Sequence, residues 1–116
     1  MRKITEQSVN AFLEDRNFKK SNMQVETNLI SQVYDGDRNV HDGIITTMKL
    51  FGKTIAYKNF KGKILISSCG WQTATTKERL NAIPGVNIVQ RNFIWYLNGK
   101  EWDGNLVAIK ERYKPQ

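Results

Sequence analysis

The chain has 116 residues, 40% of them hydrophobic and 25% charged, the composition of one soluble folded domain rather than of a disordered segment. A chain of this length buries about two-thirds of its unfolded surface, so it needs neither a disulfide nor a structural metal, and its single cysteine excludes an internal bridge. The departure from the average is charge: 18 basic against 11 acidic residues leave +7, which favours acidic partners, nucleic acid first among them.

The first element is a short amphipathic helix. Thr5 is its expected N-cap, Ile4 and Val9 stand at the positions of a hydrophobic staple, Val9, Phe12 and Leu13 make one apolar stripe, and the helix is expected to end near Asn17. Met23 to Asn28 alternates Met23, Val25 and Thr27 against Gln24, Glu26 and Asn28, the pattern of a half-exposed strand. Residues 29–43 are rich in turn formers and read as a long flexible loop or insertion. Ile44, Thr46, Met48 and Leu50 then share one strand face. Phe51-Gly52-Lys53 turns the chain into Thr54 to Lys58, and Asn59-Phe60-Lys61-Gly62 turns it again into the β-branched run Ile64-Leu65-Ile66.

A polar connection leads to a second helix, where Thr75 and Glu78 stand in the capping-box relation and Pro84-Gly85 closes the element. Strands follow at Val86 to Arg91, Phe93 to Leu97 and about Leu106 to Lys110. Asn98-Gly99 is the strongest hairpin signal, because both central residues of a type I′ turn need positive φ. That turn pairs Leu97 with Lys100, Tyr96 with Glu101 and Trp95 with Trp102. Residues 111–116 form a basic tail. The expected order is α-β-β-β-α-β-β-β: a single α+β domain over residues 1–116, with a twisted, mainly antiparallel sheet and two short helices on one face.

The excess charge is segregated. Residues 1–42 carry six basic and seven acidic side chains, whereas residues 43–116 carry twelve and four. Lys49, Lys53, Lys58, Lys61 and Lys63 fall in one stretch without an acid, either as guards on strand edges or as a patch that faces phosphate or carboxylate. The segment Gly70 to Arg79 combines Trp71 with Thr75, Thr76, Lys77 and Arg79 at a helix N-terminus, the materials of an anion site with a stacking ring. The competing reading is a capped helix with Trp71 in the core; Trp95 and Trp102 divide in the same way between core and stacking surface.

Catalytic and metal motifs are weak. Asp35-Gly36-Asp37-Arg38-Asn39 begins like a calcium loop, but Val40 stands where the turn needs glycine and Thr46 where a bidentate glutamate belongs. One histidine, His41, and one cysteine, Cys69, leave a tetrahedral zinc site two ligands short. Nothing in their spacing requires them to meet as base and nucleophile, so a Cys69-dependent enzyme is a remote alternative. Neither an enzyme nor a bound metal or cofactor is expected. The polar start, Met1-Arg2-Lys3-Ile4-Thr5-Glu6, lacks the apolar core of a signal peptide, and there is no run of about 18 apolar residues. A cytoplasmic protein without a membrane partner is therefore expected.

Ser68-Cys69-Gly70-Trp71, Thr75 to Asn81, and Trp95-Tyr96-Leu97-Asn98-Gly99-Lys100-Glu101-Trp102-Asp103-Gly104 resemble stretches of a family of small proteins encoded by tailed bacteriophages. Asn10 to Leu13 and Asn17-Phe18 extend the likeness over most of the chain. The resemblance carries no activity to any residue. What it implies is context: an accessory protein made in the cytoplasm of an infected bacterium, of a kind that often binds and blocks host machinery or defence systems, CRISPR effectors included. The expected function is thus inhibition of a host or defence complex through the basic surface, with sequence-independent nucleic-acid binding as the alternative.

Overall fold

In the computed structural model, residues 2–35, 39–59 and 61–109 are described, with the backbone alone for 30–35 and 39–42. The first apolar stripe folds as α1, Lys3–Leu13, which buries Val9, Ala11 and Phe12. Its N-cap is Arg2, without a capping side chain. Thr5 lies inside the helix, fully buried, so the expected cap is corrected: its hydroxyl reaches across to the second helix instead of back to its own first turn.

The helix also stops earlier than the sequence suggested. Asp15 takes a left-handed backbone, φ +54°, while Arg16 N–H donates to Ala11 O and Asp15 N–H to Phe12 O, the two bonds of a Schellman ending. The chain then enters a six-stranded antiparallel sheet: β1 (Phe18–Lys20), β2 (Met23–Asp35), β3 (Asn39–Leu50), β4 (Lys53–Lys58), β5 (Ile64–Ile66) and, from the far end of the sequence, β9 (Val107–Ala108), ordered β1-β2-β3-β4-β5-β9. A second sheet of β6 (Ile88–Arg91), β7 (Ile94–Leu97) and β8 (Lys100–Glu101) follows α2 (Ala74–Asn81). The α+β class and the helix-strand alternation are as expected. The strands, however, divide between two sheets.

The expected loop is also corrected. Leu29 to Asp35 and Asn39 to Gly43 continue the hairpin of β2 and β3, from Leu29↔Ile44 to Asp35↔Asn39, with one register shift between Ile30 and Val33. Backbone pairing alone extends the ladder there, and backbone hydrogen bonds need no hydrophobic alternation in the sequence. Residues 36–38 of the calcium-like loop, Phe60 and the basic tail lie outside the described residues.

One core unites the elements. Met23, Val25, Met48, Leu50, Ala56 and Ile66 of the large sheet are buried with Val9 and Phe12 of α1, Leu80 and Ile83 near α2, and Ile88, Trp95 and Trp102. Trp95 and Trp102 are core residues, with ring centroids 6.1 Å apart, and the Trp102 indole N–H donates to Asn105 O. The Asn98-Gly99 hairpin pairs Leu97 with Lys100 and Tyr96 with Glu101, as the turn predicts.

Two carboxylates clamp this arrangement. Burial by itself raises the Asp15 pKa, but the hydrogen bond from Thr46 together with the hydrogen bond and charge of Lys58 outweigh it and hold the carboxyl below its ordinary value. Glu78 is lowered in the same way, against its burial, by Thr5, Arg79 and the Arg2 amide. A folded-state pKa below the unfolded one contributes stability that is present above the unfolded value and is lost as pH falls through the folded one. Thermal stability is therefore expected to hold above about pH 5 and to drop steadily below about pH 4. Melting scans of Asp15→Asn and Glu78→Gln, which should flatten that drop, check the assignment.

Candidate functional site

Two tight turns decide which side chains the molecule presents. Phe51 and Gly52, between β3 and β4, both have positive φ, +52° and +77°, which suits the twist of an antiparallel pair but leaves the phenyl ring outside the core. Cys69 and Gly70 repeat the pattern with φ +54° and +79°, closed by Trp71 N–H donating to Ser68 O at 2.9 Å. The two turns bring Phe51 and Trp71 together with centroids 6.3 Å apart, and Lys53 Nζ stands 5.1 Å from the centre of the Trp71 ring. Both rings face solvent, Phe51 at 60% and Trp71 at 45% exposure. Beyond Phe51 a shallow hollow of about 500 Å³ is lined by Lys19, Ser21, Asn22 and Gln24.

Such a surface has defined chemistry. Two exposed rings offer flat apolar area that orders few torsions on binding, and a cation over an indole face is attracted by the ring while still carrying charge to a partner. Trp71 came from the sequence as a stacking residue. Phe51 and Lys19 did not; the signal for Phe51 was an aromatic beside glycine in a turn, a place where a large apolar side chain cannot reach the core.

The other expected site residues divide. Lys49 pairs with Glu26 on the neighbouring strand. Lys58 is spent on the fold: its Nζ lies 3.0 Å from Asp15 Oδ1, donates to Leu13 O and sits over the Phe12 ring, a cation at the C-terminal end of α1. Lys61 and Lys63 are exposed on the turn that Asn59 closes, where its side-chain oxygen accepts from both backbone amides. Lys53 alone of the five stands over Trp71.

At α2 the N-cap is Thr73, not Thr75. Its hydroxyl accepts from Thr76 N–H at 3.1 Å, so the capping box is not formed and Glu78 is released to meet Thr5 and Arg79. Thr76 is buried and Thr75 half-buried. Lys77 lies along Trp95 and donates to Gln90 Oε1. Arg79 is 1% exposed, with Nη1 donating to Thr5 and Glu78 and Nη2 to Asn22. The structure thus separates Trp71 from the residues expected around it: Thr76 serves the α2 cap with Thr73, Arg79 joins the two helices, and Trp71 joins Phe51 and Lys53.

Cys69 Sγ donates to Thr54 O and lies 3.9 Å from Ser67 Oγ. Neither neighbour is a base, and the side chain of His41 lies outside the described residues. Among the described residues there is no group of three or more His, Cys, Asp or Glu that could hold a metal ion, and no helix long and apolar enough to cross a membrane.

Neither a curated protein nor a solved structure matches this chain. A family model described as Kyanoviridae Gp96 protein matches residues 1–112, in agreement with the phage resemblance of the sequence. The chain therefore belongs to the Kyanoviridae Gp96 family of cyanophage proteins.

Proposed function

We propose that the chain is a non-enzymatic phage accessory protein that binds and inhibits a host or defence complex in the infected cell. The observation that carries the reading is the solvent-facing pair Phe51 and Trp71 with Lys53 over the indole, in the half of the chain that holds the excess positive charge. An aromatic anchor with a cation over it suits an acidic protein face, where the ring, once buried, supplies affinity and the charge steers approach. Lys19, which lines the hollow beside Phe51, adds a second positive charge near that anchor.

Sequence-independent binding of single-stranded nucleic acid is the second reading. It is favoured by the same ring and lysine, since a base stacks on an indole whatever its identity. Salt separates the two. Neutralising about four to six phosphates gives a steep loss of affinity between low and moderate salt, whereas a protein interface anchored by aromatic burial responds less.

Production of the wild-type chain in a cyanobacterial host is expected to impair the targeted process, and Trp71→Ala with Lys53→Glu to relieve that effect about tenfold or more in dose. Both positions are exposed, so the variant should melt within a few degrees of the wild type. An inhibitory effect undiminished in a folded double variant would remove this surface from the function, and full inhibition by a chain lacking only the Cys69 thiol is expected on the same grounds.

A further inference from the structure

The second sheet carries an exposed feature that shares no residue with the surface above. Its two hairpins use the same turn geometry with different residues. Asn98-Gly99 has φ +51° and +89°, and Asn92-Phe93 has φ +50° and +67°. The second left-handed position of such a turn favours glycine, because a Cβ there crowds the backbone and a bulky residue is an outlier. Phe93 occupies it and is 92% exposed, so burial within the chain returns almost nothing for the strain.

The neighbouring side chains complete a surface. Direct cross-strand pairs place Val89 beside Tyr96 and Arg91 beside Ile94 on the outer side of β6 and β7, while Trp95 and Ile88 face the core. Val89 and Ile94 are exposed, and the Arg91 guanidinium lies 6.0 Å from the centre of the Tyr96 ring. Phenylalanine, tyrosine and arginine in one patch are the residue types that dominate protein interfaces.

The charge around the patch restricts the occupant. Glu101 of β8 stands across from Tyr96 at the far end of the patch, whereas at the hairpin tip beside Phe93 and Ile94 the charge is the positive one of Arg91, with no acidic residue between Glu78 and Glu101 in the chain. A second copy would bring together two chains of +7 each. Nucleobases would stack on Tyr96 or Phe93 but gain little from the aliphatic Val89 and Ile94 between them. We propose that the β6–β7 hairpin is a second docking element, in which Phe93 inserts into an apolar socket of a partner protein whose rim is acidic and meets Arg91. This surface does not depend on the Trp71 reading, and either can fail alone.

The test has two arms on the full chain. In the first, Phe93→Gly is expected to raise the melting temperature by about 3–6 °C, because a strained position with no internal return is relaxed; a lowered melting temperature would show that Phe93 serves the fold and would overturn the proposal. In the second, the photoreactive analogue p-benzoylphenylalanine replaces Phe93 in chain produced in cyanobacterial cells, with the same analogue at exposed Asn10 as the control position. The expected result is a protein adduct from position 93 alone that survives nuclease and falls about tenfold with Ile94→Asp and again with Arg91→Glu. No adduct, an adduct of two copies of this chain, one that nuclease removes, one formed equally from position 10, or one indifferent to Arg91→Glu would each overturn it.

Discussion

Replacement of Gly104 by alanine is expected to destabilise the protein by about 3 kcal/mol or more, a drop of about 10 °C or more in melting temperature. Two effects add. The residue has φ +90°, outside the range that an L side chain adopts without strain, and an added Cβ would stand 2.2 Å from Ser68 Oγ and 3.1 Å from Ser68 Cβ. Ser68 cannot move aside cheaply, because it is buried and both its amide and its hydroxyl donate to Gly104 O. The contact joins the end of β5 to the segment leading into β9, so the same strain falls on the pairing that returns the C-terminal part of the chain to the large sheet. Ser68→Ala removes the closer of the two collisions. The Gly104→Ala, Ser68→Ala double variant should therefore lose less than the sum of the single losses, by about 1 kcal/mol, in chemical denaturation. Strict additivity would mean that the collision is relieved elsewhere.

The second large loss is expected at Arg79. Arg79→Ala removes a fully buried side chain that ties α2 to Thr5 of α1 and to Asn22 between β1 and β2, and should cost about 3 kcal/mol. Glu78 retains access to water, which keeps the loss below that of a fully buried, abandoned charge. Arg79→Met, which restores bulk without the guanidinium, should recover part of it, and Arg79→Lys little, since one ammonium cannot serve partners in three directions. Partner binding by the folded fraction should be unchanged. An Arg79→Met chain as stable as the wild type but unable to bind would return Arg79 to the interaction surface.

The readable parts of the chain were those where a local rule has a single answer. Asn98-Gly99 allows one short turn, and that turn sets the register of the strands on either side, Leu97 with Lys100 and Tyr96 with Glu101. Alternation at Ile44 to Leu50 likewise marks one face of β3. Where several residues satisfy a rule equally, tertiary structure chose between them. Thr73, Thr75 and Thr76 can each cap a helix, and Thr73 does so because Glu78 is required by Thr5 and Arg79. Lys58 and Lys53 look alike in sequence, yet one is drawn to Asp15 at the end of α1 and the other to Trp71. The Phe51–Trp71 pair is illegible for a different reason. It is made by two rings 20 residues apart in the chain, each set by its own turn, and nothing local to either turn specifies that they meet.

The most direct measurement is affinity capture from infected or expressing cyanobacterial cells with the wild-type chain and with the Trp71→Ala, Lys53→Glu variant, each before and after nuclease, with the captured proteins quantified. A host or defence protein that stays with the wild type through nuclease treatment and falls at least about tenfold with the variant is the expected result. Capture of the same proteins in the same amounts by both chains, or of none by either, would contradict a function exercised through Phe51, Lys53 and Trp71.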